Sequence, residues 1–367
     1  MMTRHGRKPT VTTSEVARLC GLSRSTVSAV LNGKPGVRES TRRKVLQCIR
    51  ESRYVSGMIT TALVDELSRI VAVLAADLGS LFTMMTLRGI SSVLEGAGYH
   101  ILIHNVRQED QDDPETLASL QACHPAGYII LKGAEGLGAI HARKVSAQGV
   151  PLVTHGGLEG ILTHSVNVDN RAGMRLATAY VIGLGHRLVG YISGPSFSQG
   201  AKERKLGFIE SLVECDISMS HAMIMDAGET ASDGYRAALQ ILRDAVRRPT
   251  ALLCFNDMVA MGVYRAAHEL SLDIPHDLSV VGFEGIDYGA LLGPSLTTVD
   301  LFPDQQGERM AHILLRVIRN EVRQGFLREW IAPKLIERAS VRPYEGLQCA
   351  AVGTVQTNIT GSVATPE

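Results

Sequence analysis

The sequence contains no stretch of about 18 consecutive apolar residues, so no membrane-crossing helix is expected. Its opening residues, MMTRHGRKPT, are basic but have no apolar core behind them, which excludes a secretory signal. The six cysteines, Cys20, Cys48, Cys123, Cys215, Cys254 and Cys349, are scattered without a CxxC pair. Most sit in apolar surroundings and read as reduced core residues of a cytosolic protein, and their spacing offers no zinc ribbon or disulfide scaffold. No P-loop, GxSxG elbow or HExxH pair occurs. The one glycine-rich run after a strand, LKGAEGLG, is spaced GxxGxG, the wrong order for a dinucleotide cradle, and reads as a surface loop. His100 and His104 share a strand face but lack a third ligand, so they read as core or surface residues. No metal, no cofactor and no enzymatic activity are expected.

What is present begins with charge. The chain is neutral overall, yet Met1 to Val55 holds twelve basic residues against three acidic ones. That surplus of nine is balanced by an equal deficit in the remaining body. A basic head on an acidic body suits a phosphate-binding module, because the head attracts a duplex and the body repels it.

Within the head, VTTSEVARLCGLSRSTVSAVLN (Val11–Asn32) sets Val16, Ala17, Leu19 and Cys20 at the spacing of one helix face. Gly21 breaks that helix, Leu22 packs the corner, and Ser23 supplies an oxygen to cap the next. The second helix turns Val27, Val30 and Leu31 inward and leaves Arg24, Ser25, Thr26, Ser28 and Ala29 outside. This is a helix-turn-helix with a major-groove reader; by itself the stretch also reads as an ordinary helical hairpin. After the GKPG turn a third helix is predicted over Arg38–Ser52, burying Val45, Leu46 and Ile49.

Domain organisation follows from composition. Residues 1–55 form the head and residues 56–68 a weakly patterned linker. Residues 69–341 form a body, and residues 342–367 a tail without usable period that is predicted to be disordered. In the body, the apolar runs IVAVLAA, YHILIHN, GYIILK, VPLVTH, VGYISG, ALLCFN and LSVVGFE alternate with amphipathic helices. Helices are predicted near Phe82–Glu95, Glu115–Ala122, Arg171–Leu184, Ala201–Glu214, Gly234–Val246, Asp257–Leu270 and Gln305–Asn320. Continuous apolar strands separated by helices predict parallel sheets buried on both faces, and the length calls for two α/β lobes. Ligands of such sheets bind beyond the carboxyl ends of the strands, here in the cleft between the lobes.

In this order the chain resembles the lactose/galactose-repressor family of bacterial transcription regulators. The motifs are EVARLCGLSRSTVSAVLNG in the head, then VNVDN, GLGHRLVGYISGP, GFIESL, CFNDMVAMGVYRAA, IPHDLSVVGFEGID, PSLTTVD and LIERASV. The resemblance implies a two-lobed body like a periplasmic binding protein and a homodimer on a near-palindromic operator in double-stranded DNA. It also implies a small effector (a sugar, sugar acid or nucleobase) that switches DNA affinity. The other reading is a sensor module whose basic head serves a partner other than a specific operator.

Carried onto this chain, the family's base-reading positions fall on Arg24, Ser25 and Ala29. Arg24 can fork onto guanine or hold a phosphate. Ala29 replaces a longer polar residue and can at most touch a thymine methyl. Thr12, Ser23, Thr26, Ser28, Asn32, Arg38 and Arg42 fit capping or backbone positioning. In the linker only Leu63 remains of the minor-groove wedge, because Ser56, Gly57, Thr60 and Thr61 replace the usual residues and lower helix propensity; a plain tether fits as well. In the body, Arg204 resembles the effector-binding arginine, suited to forked bonds with hydroxyls or a carboxylate. Asn256 and Asp257 fit hydroxyl binding, and Glu284 stands where relatives mostly carry aspartate. Asp77, Ser80 and Phe82 match a first-lobe pocket loop. His155 lies where the family often has an aspartate-arginine pair, with Gly156 and Gly157 in that pair's place. Asp77 and Asp257 read equally as helix caps, and Phe82 as core or dimer surface.

Overall fold

A computed structural model of the chain describes residues 13–31, 37–52, 69–106, 120–121, 123–131, 142–158, 160–322 and 324–344. The head contains α1 (Thr13–Cys20), α2 (Arg24–Leu31) and α3 (Glu39–Ser52). Its core is Val16, Ala17, Cys20, Val27, Val30 and Val45, with Leu22, Val37 and Cys48 packed against them. Leu19, expected in that core, is instead 52 % exposed. At 100° per residue it sits about 60° to one side of Val16, whereas Ala17 and Cys20 lie on the other side.

The body elements follow in order: β1 (Ile70–Ala75), α4 (Leu81–Gly96), β2 (His100–Asn105), β3 (Gly127–Ile130), β4 (Leu152–His155) and β5 (His164–Val168). Next come α5 (Asn170–Gly183), β6 (Val189–Ser193), α6 (Gln199–Glu214), β7 (Ala222–Asp226) and α7 (Ala231–Leu242). The chain then forms β8 (Ala251–Cys254), α8 (Asp257–Glu269), β9 (Ser279–Glu284) and β10 (Thr297–Asp300). The described elements end with α9 (Pro303–Ile318), β11 (Arg328–Ile331) and β12 (Lys334–Ile336).

These elements make two six-stranded sheets, ordered β11-β5-β4-β3-β1-β2 and β12-β10-β9-β8-β6-β7. The first sheet is parallel throughout, with Val71 aligned to Ile101 on one side and to Gly127 on the other. In the second, β7, β6, β8 and β9 pair in parallel. Both lobes of the predicted parallel α/β class are therefore present. Two compact units result: Met1–Asn170, Glu284–Ile286 and Asp300–Lys334 make one, and Arg171–Phe283, Asp287–Val299 and Leu335–Glu367 the other.

In the first unit, α4 and α9 cover one sheet face, where Leu87, Ile90, Leu94, Met310 and Leu314 bury Val71, Val73 and Ile129. The two helices approach closely because each offers a glycine at the crossing. A Cβ on Gly89 would land on the Asp304 carbonyl, and one on Gly307 would land on the Thr86 carbonyl. The pair is tied outside by Arg88, whose Nε and Nη2 donate to Asp304 Oδ1 and Oδ2 at 2.7 and 2.6 Å. The second unit repeats the device. Gly234 of α7 faces the Val259 carbonyl and Gly262 of α8 faces the Ala231 carbonyl. A capping box between Thr230 and Asp233 opens α7.

Residues 342–344, the first three of the expected tail, are held in place. Arg342 N donates to Ser279 Oγ, Tyr344 N donates to the Leu184 carbonyl at 2.8 Å, and the Tyr344 ring stacks on His186. Three residues that lack any periodic pattern are thus held by backbone bonds and one ring contact. Residues 345–367, the linker 56–68, and all but Leu120 and Gln121 of the predicted Glu115–Ala122 helix lie outside the described residues. Among the described residues no helix is long and apolar enough to cross a membrane.

Candidate nucleic-acid interface and effector-binding residues

In the head, α1 stops at Cys20 because Gly21 takes φ +63°, a left-handed geometry that favours glycine. Ser23 then opens α2: its Oγ accepts from Thr26 N at 3.0 Å and exchanges hydroxyl bonds with Ser25 and Thr26 at 2.8 and 2.7 Å. Val27 and Val30 anchor α2 with no exposure, which fixes its rotation. Arg24 and Ser25 project from its first turn into solvent, and Thr26, Ser28 and Ala29 lie along it. Arg38 is exposed and directly precedes α3, where its carbonyl accepts from Thr41 N and Arg42 N at 2.9 and 3.0 Å. The arrangement is a short helix with a guanidinium and a hydroxyl at its leading end, held by an apolar core of its own. Thr12, Asn32 and Leu63 lie outside the described residues.

In the first unit, Asp77 follows β1 and accepts from Gly79 N at 2.7 Å, which makes a tight turn. Ser80 caps α4 by accepting from Thr83 N at 3.4 Å. Phe82, the second residue of that helix, is 6 % exposed and stacks on His155 with ring centroids 5.8 Å apart and planes 13° apart. His155 ends β4, and Gly156 (φ +82°) turns the chain immediately after it. The structure therefore brings Phe82 and His155 together as one aromatic face at the carboxyl ends of β1 and β4. Glu284 ends β9 in a strained backbone, φ +104°, and is 8 % exposed.

In the second unit, Arg204 of α6 is fully buried. Its Nη1 donates to the Phe255 carbonyl at 2.5 Å, and its guanidinium lies 4.5 Å from the Phe255 ring and 4.1 Å from the Phe283 ring. A cation held between two aromatic faces is stabilised by both quadrupoles. Asn256 is anchored through both ends of its amide: Oδ1 accepts from Val259 N at 2.8 Å to cap α8, and Nδ2 donates to the Glu229 carbonyl at 3.0 Å, which leaves one N–H and one lone pair for other partners. Asp257 is fully buried and accepts from Thr298 Oγ1 at 2.6 Å. A Cβ on Gly282 would strike that carboxylate, so the β9 glycine makes room for it.

Sequence reasoning passed over several residues of this cluster. Phe255 and Phe283 flank Arg204, and Thr298 holds Asp257. Tyr191 on β6 is fully buried, and burial pushes its pKa up. The only signal for the two phenylalanines was that each precedes a named residue, Asn256 or Glu284, at the end of an apolar strand.

Comparison with known proteins bears on both parts of the chain. Residues 12–56 match the family described as bacterial regulatory proteins, lacI family, and residues 178–341 match the periplasmic binding protein-like domain. Together the two matches cover more than half of the chain. A curated relative, the HTH-type transcriptional repressor PurR of Photobacterium profundum, is 27% identical over 335 residues, 90% of this chain and 98% of the relative. The lac repressor dimer bound to operator and the anti-inducer ONPF superposes with a TM-score of 0.68 at 25% identity, covering 91% of this chain and all of that one. A regulator from Enterococcus faecium with bound ribose shares the fold at a TM-score of 0.68 and 24% identity, over 75% of this chain and all of that one. With a helix-turn-helix head in front of two parallel α/β lobes, the chain belongs to the lacI family of bacterial regulatory proteins.

Proposed function

We propose that this regulator is a homodimeric, cytoplasmic repressor that reads a near-palindromic operator with α2 and whose DNA affinity is switched by a small polar effector. The observation that carries the reading is the leading turn of α2. Arg24 and Ser25 are exposed there on a helix whose rotation is fixed by Val27 and Val30, in a head with nine surplus positive charges. Arg24 supplies a fork to guanine, worth about 1–3 kcal/mol of discrimination, and Ser23, Thr26, Ser28 and Arg38 set the register on the backbone. Thr12 and Asn32 join them in that role, and Leu63 is the minor-groove wedge. The effector is taken at the carboxyl ends of the strands by the Phe82–His155 face and by Asp77, Ser80, Arg204, Asn256, Asp257 and Glu284. It shifts DNA binding only by its difference in affinity for two states of the body.

Selection of a binding site from random duplex DNA, followed by titration across salt concentrations, tests the reading. The expected result is a palindromic site bound more tightly than bulk DNA, with log affinity falling linearly in log salt. Arg24→Ala should weaken that site and relax it at one base pair per half-site. Equal affinity for selected and bulk DNA overturns the proposal. A thermal-shift screen of sugars, sugar acids and nucleobases identifies the effector, since a ligand at about 100 times its Kd stabilises by about 2.7 kcal/mol.

A further inference from the structure

The head contains two of the chain's cysteines, and both pack into its one apolar cluster. Cys20 is the last residue of α1, 2 % exposed among Val16, Val27, Val30 and Val45. Cys48, on α3, is half-buried and packs against that same cluster, near enough to Cys20 to help raise its thiol's pKa. Lys44, one turn before Cys48, places a positive charge near the pair. A solitary buried cysteine is a small apolar core residue, but two cysteines from two helices packed in one small cluster have a second chemistry open to them.

We propose that Cys20 and Cys48 are a reversible oxidation site in the reading head, closed to an intramolecular disulfide by a peroxide and reopened by a dithiol reductant. Burial pushes the Cys20 thiol up to about 12, so Cys48, the more accessible partner, takes the oxidant. The Cys48 sulfur attacks one peroxide oxygen; the O–O bond breaks, leaving a sulfenic acid and the first water. The Cys20 sulfur then displaces the hydroxyl from that sulfenic acid, and its proton leaves with the hydroxyl as the second water. Two thiols lose two electrons, and hydrogen peroxide is reduced to two waters.

The consequence for DNA reading, which rests on the function proposed above, is geometric. A disulfide holds its sulfurs about 2 Å apart, closer than any thiol–thiol hydrogen bond, so α3 and the end of α1 must be drawn together. Cys20 is followed directly by Gly21, Leu22 and Ser23, and then by Arg24. Displacing the end of α1 therefore displaces the leading turn of α2, where the base-reading groups sit. Contacts to base edges are steep in distance and angle, so operator affinity should fall by about tenfold or more.

The test uses the full-length chain with hydrogen peroxide and then dithiothreitol. A tryptic map should show the peptides Leu19–Arg24 and Val45–Arg50 cross-linked after peroxide and separate after reduction. Fluorescence anisotropy on a selected operator duplex should show affinity lost with the cross-link and regained with its reduction. Cys48→Ala should keep its affinity through peroxide treatment. The proposal is overturned if the cross-linked peptide does not form, or if Cys48→Ala loses affinity under peroxide as the unaltered chain does. Reduced protein that forms the cross-link on oxidation yet never prefers a selected site upholds the oxidation site and sinks the operator reading instead.

Discussion

Arg204 gives the sharpest test of how the second unit is built. Its guanidinium fills the space between the Phe255 and Phe283 rings and pairs with a backbone carbonyl, all without solvent exposure. Arg204→Ala removes the filling and leaves the Phe255 carbonyl unpaired. A cavity of that size in a packed site costs about 2–4 kcal/mol, and a stranded carbonyl about 1–3 kcal/mol. The lost charge no longer has to be kept dry, which offsets part of the sum, so about 3–4 kcal/mol is the expected net. At about 2–4 °C per kcal/mol for a unit of this size, the thermal transition should fall by about 10 °C. Arg204→Met restores most of the volume and should fall by only about a third of that. Circular dichroism melts of the three proteins measure the difference. If Arg204 also touches the effector, both variants lose the response to a compound that stabilises the unaltered chain, although their stabilities differ. A melt of Arg204→Ala within about 1 kcal/mol of the unaltered chain would refute the packing argument.

Two further predictions concern packing and pH. Gly307→Ala places a methyl group on the Thr86 carbonyl, where only backbone can give way. It should cost about 1–3 kcal/mol, read as a lower urea midpoint at unchanged m-value, whereas Gly96→Ala, in open space, should cost nothing measurable. His186 Nδ1 bonds Thr250 Oγ1 at 2.8 Å and Nε2 bonds the Arg342 carbonyl at 3.0 Å. Burial holds its pKa below the usual histidine range, helped by the charges of Arg187 and Arg342. The unfolded chain therefore takes up the proton first. Stability is complete above about pH 6.5 and is lost as pH falls toward the folded value, by at most about 1.4 kcal/mol per unit. Melting curves between about pH 7.5 and about pH 5.5 should show this slope, and His186→Gln should flatten it; an unchanged slope would remove His186 as its source.

How much of this was legible depended on whether a strand is apolar. Val71–Ala75, Ile129–Ile130, Leu252–Cys254 and Val280–Phe283 are buried runs of mostly aliphatic residues, and their letters alone mark them as strands between helices. The strand at His164–Val168 is different: His164, Ser165 and Asn167 are buried too, but as polar groups. Asn167 Nδ2 bonds Ser165 Oγ and the Glu329 carbonyl, and His164 Nδ1 accepts from Leu327 N. Partners far along the chain make that burial tolerable, and no local pattern announces them. Thr297 and Thr298 on β10 are hidden for the same reason, matched to Ser340, Arg338 and Asp257. The reading head was legible because its core is local. Arg204 was found by its position after Gly194–Pro195, yet the two rings that hold it come from the ends of two other strands.

The way the chain passes between the two units also governs how the protein is made. The first unit's sheet gains β11, and its inner face gains α9, only from residues 303–331. Everything from Arg171 to Phe283 is built in between and belongs to the other unit. On a ribosome adding about 5–20 residues per second, the apolar side of α4 waits on the order of ten seconds or more for its covering helix. During that interval the first unit exposes an unfinished core and an open sheet edge, while the second unit has most of its own strands. Nascent-chain proteolysis should find the later-synthesised unit protected first. A slow stretch of codons just before Pro303 would lengthen the interval in which the earlier one can aggregate.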